Sequence, residues 1–238
     1  MPKSSLDRRV SNLAWPGIAG ELKAHGHATT GPLLDSATCR EIASWYGDEA
    51  RFRSRVVMER HAFGRGEYKY FDYPLPPEIQ ALREALYLRL APVAEAWAAA
   101  LGRPGGYPET LAAYLERCHR AGQTRPTPLL LRYETDGYNC LHQDLYGDLA
   151  FPLQATILLS DPGRDFDGGE FVLVEQRPRQ QSRAEVVRLA QGQAVVFAVR
   201  ERPRQGAHGV HRAVLRHGVS RIRRGVRFAL GIIFHDAK

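Results

Sequence analysis

The spacing of hydrophobic positions changes part-way along the chain. In the first half they recur at steps of three and four. In PPEIQALREALYLRLAPVAEAWAAALG, residues Ile79, Leu82, Leu86, Leu90, Val93 and Trp97 form one apolar stripe of a long helix, with Pro92 expected to kink it. LLDSATCREIASWYGD predicts a shorter helix, with Thr38 and Glu41 at capping-box spacing and a stop at Gly47. PETLAAYLERCHRAG predicts a third, from Pro108 near its first turn to Gly122. Between the first two, RFRSRVVMERHAFGRGEYKYFDYPLP reads as two short strands around Gly64 and Gly66.

From about Thr127 the period becomes two. PLLLRY, PLQATILLS, GGEFVLVE, EVVRL, AVVFAV, AVLRHGV and RFALGIIFH read as strands, separated by turn signals such as Asp161-Pro162-Gly163, Asp167-Gly168-Gly169 and Gln191-Gly192. The pattern predicts an α+β, β-dominated fold, with a jelly-roll core and N-terminal helices packed against it. Residues 1–126 would form a helical layer with a hairpin able to cover a substrate, and residues 127–238 the jelly roll. No linker separates them, so one structural unit is expected.

Composition narrows the class. With 238 residues, 44% hydrophobic and 25% charged, the chain can bury a sizeable core. Its cysteines, Cys39, Cys118 and Cys140, contain no CxxC pair and fit neither a disulfide framework nor a zinc knuckle. The first residues lack the apolar core of a signal peptide, and no run approaches the roughly 20 apolar residues that cross a bilayer. A cytoplasmic protein is expected, monomeric or weakly dimeric, with no membrane contact and no obligate protein partner. The net charge of +7 suits a polyanion such as nucleic acid. Because only Lys3, Lys23, Lys69 and Lys238 are lysines, an arginine-rich coding bias explains the charge equally well.

Candidate chemistry begins in NCLHQDLYGD. On a strand, His142 and Asp144 would share a face and present an imidazole beside a carboxylate. A third ligand must come from another strand, and the candidates are His208, His211 and His217. His217 is preferred: it lies on a predicted strand, and a turn at Arg224-Gly225 then leads to a last strand opening at Arg227. Two histidines and one carboxylate are the facial set of non-haem Fe(II) oxygenases, which leaves coordination positions open. A zinc hydrolase could use similar ligands but has no need of the arginine.

His-x-Asp, a long gap, then His and Arg ten residues apart resembles the Fe(II)- and 2-oxoglutarate-dependent oxygenases, over about residues 128–236. That resemblance implies a double-stranded β-helix, with Fe(II), 2-oxoglutarate and O₂ as cofactor and co-substrates. It also implies His142, Asp144 and His217 as catalytic metal ligands and Arg227 as the cation for the distal carboxylate of 2-oxoglutarate. LLRYETDGYNCLHQD resembles the AlkB nucleic-acid demethylases, in which Tyr133 would contact the co-substrate. Leu131 departs from their asparagine, and Ile233 from their second arginine. NCLHQDLYGDLAFPLQ, DPGRDFDGGEFVLVEQRPR and LRHGVSRIRRGVRFALGIIFHD together resemble a bacterial oxygenase family assigned to oxidative repair of alkylated DNA. The implied partner is nucleic acid with alkylated bases, and the implied reaction oxidative demethylation. Substrate contacts would come from Tyr68, Tyr70 and Arg65 in the hairpin, with Phe71 and its arginines beside them, and from His208 and His211.

The Gly-Gly-Glu of DFDGGEF resembles the prolyl hydroxylases, so a protein or amino-acid hydroxylase with the same iron site is the alternative. A cupin-like binding module is a third reading, but it would not need Arg227.

Overall fold

The computed structural model describes residues 5–176, 181–206 and 209–238. The chain opens with α1 (Ser5–Ser11), α2 (Trp15–His25) and β1 (His27–Pro32), then α3 (Ser36–Ser44). It continues through β2 (Phe52–Val57), β3 (Gly64–Arg65) and β4 (Glu67–Phe71) to the long α4 (Pro77–Ala100) and α5 (Leu111–Arg120). Eleven strands follow: β5 (Leu129–Tyr133), β6 (Tyr138–His142), β7 (Leu153–Leu158), β8 (Phe166–Gly168), β9 (Phe171–Gln176), β10 (Arg183–Val187), β11 (Gln193–Ala198), β12 (Glu201–Gly206), β13 (Gly209–Val219), β14 (Ile222–Gly225) and, last among them, β15 (Arg227–Ile232).

Two antiparallel sheets hold the molecule together. The larger runs β1-β11-β7-β15-β5-β4-β2 and the smaller β10-β9-β13-β6-β3, with β12 paired to β13. A short β14-β8 ribbon stands apart. The buried cluster joins residues of α4, such as Leu82 and Leu86, to sheet residues such as Leu153, Phe197 and Leu215. The structure is therefore mixed α+β and β-rich, with helices against the larger sheet. Among the described residues no helix is long and apolar enough to cross a membrane.

The helical stripe of α4 is largely as predicted: Ile79, Leu82, Leu86, Leu90 and Trp97 are buried and Val93 packs partly against them. The helix runs unbroken through Pro92. Other boundaries differ. The cap of α3 is Asp35, whose carboxylate accepts from the Thr38 N–H at 2.9 Å, so Thr38 is the capped residue and not the cap. Thr110 caps α5, accepting from Ala113 at 3.3 Å, while the Pro108 carbonyl accepts from the Tyr87 hydroxyl.

The first third is more than a helical layer. β1 pairs with β11 and β4 with β5, and both belong to the larger sheet, while β3 pairs with β6 in the smaller one. The segment around Gly64 and Gly66 thus forms a sheet extension. It leaves one face of β4 on the helices, where Lys69 and Phe71 are buried, and the other toward the space between the sheets.

Candidate metal centre

The space between the two sheets is a cavity of about 290 Å³. Register explains what lines it. On the smaller sheet, His217 of β13 pairs directly with His142 at the end of β6. On the larger sheet, Arg227 of β15 pairs directly with Tyr133 of β5. Cross-strand partners share a face, so each sheet delivers one pair to the same cavity, and all four residues line it.

Asp144 does not lie on the strand. β6 ends at His142, and Asp144 follows it in the connecting segment. The side-by-side placement expected from strand alternation is instead made by hydrogen bonds. Asp144 accepts from the Tyr146 hydroxyl at 2.8 Å through Oδ1 and from Gln154 Nε2, on β7, at 2.7 Å through Oδ2. The intervening Gln143 points elsewhere and donates to the Leu215 carbonyl at 2.7 Å, tying the end of β6 to β13.

His142, Asp144 and His217 bring one donor atom each within 4.8 Å of one another. His142 Nε2 is 3.4 Å from Asp144 Oδ1, and His217 Nε2 is 3.3 Å from Asp144 Oδ2. His142 Nδ1 lies 2.8 Å from the Cys140 carbonyl, which can only accept; the proton is on Nδ1 and the Nε2 lone pair faces the group. His217 is packed between Phe171, stacked at 5.8 Å, and Phe197 at 4.6 Å.

The electrostatics suit a cation. Burial pushes Asp144 upward, but the hydrogen bonds and charges of the two imidazoles outweigh it and hold the carboxyl well below its usual range. Burial, then the neighbouring His142, lowers His217. For His142 burial acts downward as well, yet the Asp144 carboxylate and the Cys140 carbonyl prevail and raise it. An ionised carboxylate and a neutral buried imidazole are the forms that bind metal.

Several buried polar atoms lack partners among the described residues. They include Arg227 Nε and Nη1, Gln154 Oε1 and His217 Nδ1. Arg227 is 2% exposed, its guanidinium carbon 5.7 Å from the Tyr133 ring and 5.9 Å from that of Phe166. Burial lowers its pKa, so the protein alone holds this cation at a cost. A buried guanidinium beside a buried phenol, both lining the cavity, fits a ligand carboxylate. The residues present therefore fit both groups implied: a metal at the His-Asp-His set and the distal carboxylate of 2-oxoglutarate at Arg227.

Gly169 makes the Arg227 position possible. Its φ is +63°, and an added Cβ would overlap Ile222 Cδ1 and lie 3.0 Å from Arg227 Cδ. The Gly-Gly step of DFDGGEF is thus where β8 folds against β14 beside the arginine.

The remaining sequence candidates are spread more widely. Tyr68 lines the cavity. Tyr70 is buried behind it, meeting Tyr68 at 5.4 Å and Tyr146 at 6.1 Å edge-to-face. Arg65 does not reach the cavity; it stands on the rim of a separate cleft, 3.5 Å from Glu59. His211 is exposed on β13, opposite Arg204 of β12. His208 lies outside the described residues. The cations of the hairpin are tied down, Arg55 to Glu67 and Lys69 to Glu49 and the Tyr46 carbonyl. Cys140 is exposed at the cavity.

Gln154, Tyr146 and Phe63 were not singled out by sequence. Gln154 had a readable signal, a polar residue inside the apolar strand PLQATILLS. Phe63, 47% exposed at the cavity and stacked on His61 at 5.3 Å, had none beyond its type.

Comparison with known proteins agrees with this geometry. Two uncharacterized proteins from Mycobacterium tuberculosis strains are each 51% identical to the chain over 176 residues, covering 74% of it and 76% of their own length. Among solved structures, a Pseudomonas putida prolyl-4-hydroxylase superposes with a TM-score of 0.52 at 15% identity, covering 94% of this chain and all of that one. A Burkholderia pseudomallei oxidoreductase of the 2-oxoglutarate-Fe(II) oxygenase family gives a TM-score of 0.52 at 16% identity, over 94% and 92% of the two chains. The non-haem α-ketoglutarate-dependent epimerase SnoN of nogalamycin biosynthesis gives 0.55 at 16%, over 92% and 81%. At such identities these likenesses concern the fold. A family profile described as "Oxygenase, catalysing oxidative methylation of damaged DNA" matches residues 66–237. With that match spanning the His-Asp-His set, the chain belongs to this family of oxygenases.

Proposed function

We propose that the enzyme oxidatively demethylates alkylated bases in nucleic acid, with His142, Asp144 and His217 holding Fe(II) and Arg227 and Tyr133 holding 2-oxoglutarate. The core is read as a double-stranded β-helix, its two sheets facing each other across the centre. When bound, the iron and 2-oxoglutarate supply O₂-dependent oxidation of a substrate C–H bond, with succinate and CO₂ as co-products. Arg227 anchors the co-substrate's far carboxylate, and the Tyr133 phenol, which accepts from Asn139 Nδ2 at 3.3 Å, stands next to it. Tyr146 and Gln154 hold the Asp144 carboxylate in orientation.

The observation that carries the substrate reading is the lining of the cavity. Apart from Asp144, the two histidines and Arg227, the described residues lining it are uncharged, and most are apolar or aromatic: Phe63, Tyr68, Leu129, Leu131, Val219 and Ile233 among them. A free amino acid would bring a carboxylate and an ammonium with no opposite charge to meet them. A flat alkylated base, once flipped from its stack, meets aromatic and aliphatic walls. The family description points the same way. A protein side chain remains the alternative, since a proline ring is also uncharged.

The deciding assay supplies iron-loaded enzyme and 2-oxoglutarate with N-methylated oligonucleotides, proline-containing peptides or no substrate. Formaldehyde released in step with succinate on the oligonucleotides supports the proposal. Succinate stimulated only by peptide contradicts it.

A further inference from the structure

The β12–β13 ribbon carries more positive charge than its fold uses. Glu201, 5% exposed, is met by three guanidiniums: Arg103 from the loop after α4, Arg200 beside it, and Arg212 across the ribbon at 3.3 Å. One buried carboxylate balances one of them. The other two charges face outward, since the three arginines are 47%, 56% and 59% exposed. Glu175 on β9 similarly receives both Arg202 at 2.6 Å and Arg204 at 3.6 Å. Along β13 the buried Ala213, Leu215 and His217 alternate with Arg212, Val214 and Arg216, so Arg212 and Arg216 share the outer face.

Position adds a second argument. Arg103, Arg200 and Glu201 form one wall of a cavity of about 320 Å³. The same cavity is lined by Leu145, Gly147 and Asp148, from the segment that directly follows Asp144. The same basic cluster therefore adjoins the connection that carries one member of the metal centre and the strand that carries another.

We infer that the outer face of the β12–β13 ribbon, with Arg103 and Arg200, is where the phosphate backbone of duplex DNA docks. The inference rests on the nucleic-acid reading above and adds the surface that would serve it. Surplus guanidiniums around a shared buried carboxylate are fixed in place, and fixed arginines lose little entropy on meeting phosphates.

The test is binding of a fluorescent, unmodified duplex of about 20 base pairs to the full chain across a salt series. Two double variants remove equal charge: Arg212→Gln with Arg216→Gln on the ribbon, and Arg8→Gln with Arg40→Gln on α1 and α3. Arg103 and Arg200 remain on Glu201 in both, so the buried carboxylate keeps partners, and succinate formation without DNA reports that each variant is folded. The expected result is a log–log salt slope shallower by about two for the ribbon variant and affinity at 100 mM salt down on the order of tenfold, with the helix variant unchanged. Equal effects from both doubles, or none from the ribbon pair, overturn the inference and leave the nucleic-acid reading standing. A wild-type protein that does not bind the duplex also overturns the inference, whereas the nucleic-acid reading is decided separately by formaldehyde release on methylated oligonucleotides.

Discussion

Arg227 sets a test of stability against function at the scale of one residue. A guanidinium that is 2% exposed, with Nε and Nη1 unpartnered among the described residues, is costly without a ligand. Arg227→Met should stabilise the ligand-free protein by about 1–3 kcal/mol in urea unfolding. The same change should raise the KM for 2-oxoglutarate roughly tenfold to a hundredfold, as expected for loss of a charge-assisted hydrogen bond. Gln154 gives a complementary case. Its Nε2 holds Asp144 Oδ2 at 2.7 Å, so Gln154→Ala should weaken Fe(II) affinity by about 10–100-fold in an equilibrium titration while the fold persists. The three metal-binding candidates and Arg227 could be read from residue type and spacing. The groups that orient them could not, because Gln154 and Tyr146 act through contacts that only folding brings about.

At the scale of elements, strand register places the centre. His142 opposite His217 and Tyr133 opposite Arg227 are direct cross-strand pairs. The period-two pattern after Thr127 made most of these strands legible, since alternation is a local property of sequence. β8 and β14 were not legible: they are three and four residues long, dominated by glycine and arginine, and hold by pairing with each other. β1 was missed for a similar reason. HATTGP lacks an apolar alternation, and its place is made by β11, far along the chain. The β8–β14 ribbon is expected to matter to the co-substrate. Gly169→Ala, at φ +63° and against Ile222 and Arg227, should lower stability by about 1–3 kcal/mol and raise the KM for 2-oxoglutarate. Thermal unfolding and initial rates check the two effects separately.

At the scale of the whole molecule, a buried polar network joins the helices to the end of the chain. Arg83 of α4 donates to Asp236 at 2.7 Å and to the Ile233 carbonyl at 2.8 Å, and Tyr73 and His119 meet the same carboxylate. The α4 stripe was legible, but Arg83 within its buried face was not, because its partner lies 153 positions away. His235, beside this network, adds a pH dependence. Burial first, then Arg83, lower it to about 4, against weaker opposing effects of Asp144 and Asp236. The unfolded chain protonates His235 from about pH 6.5 downward while the folded chain stays neutral until about pH 4. Stability present above pH 6.5 should therefore fall as pH drops toward 4, by on the order of 3 kcal/mol from this group. His235→Gln should flatten that slope by up to one proton in urea midpoints measured across the range. The central claim concerns the centre itself, and the most direct measurement is anaerobic calorimetric titration of the protein with Fe(II), then 2-oxoglutarate. One iron per chain, followed by one 2-oxoglutarate that needs both the iron and Arg227, is the expected result, with neither step in Asp144→Ala. Tight, stoichiometric iron binding that survives Asp144→Ala would contradict the account.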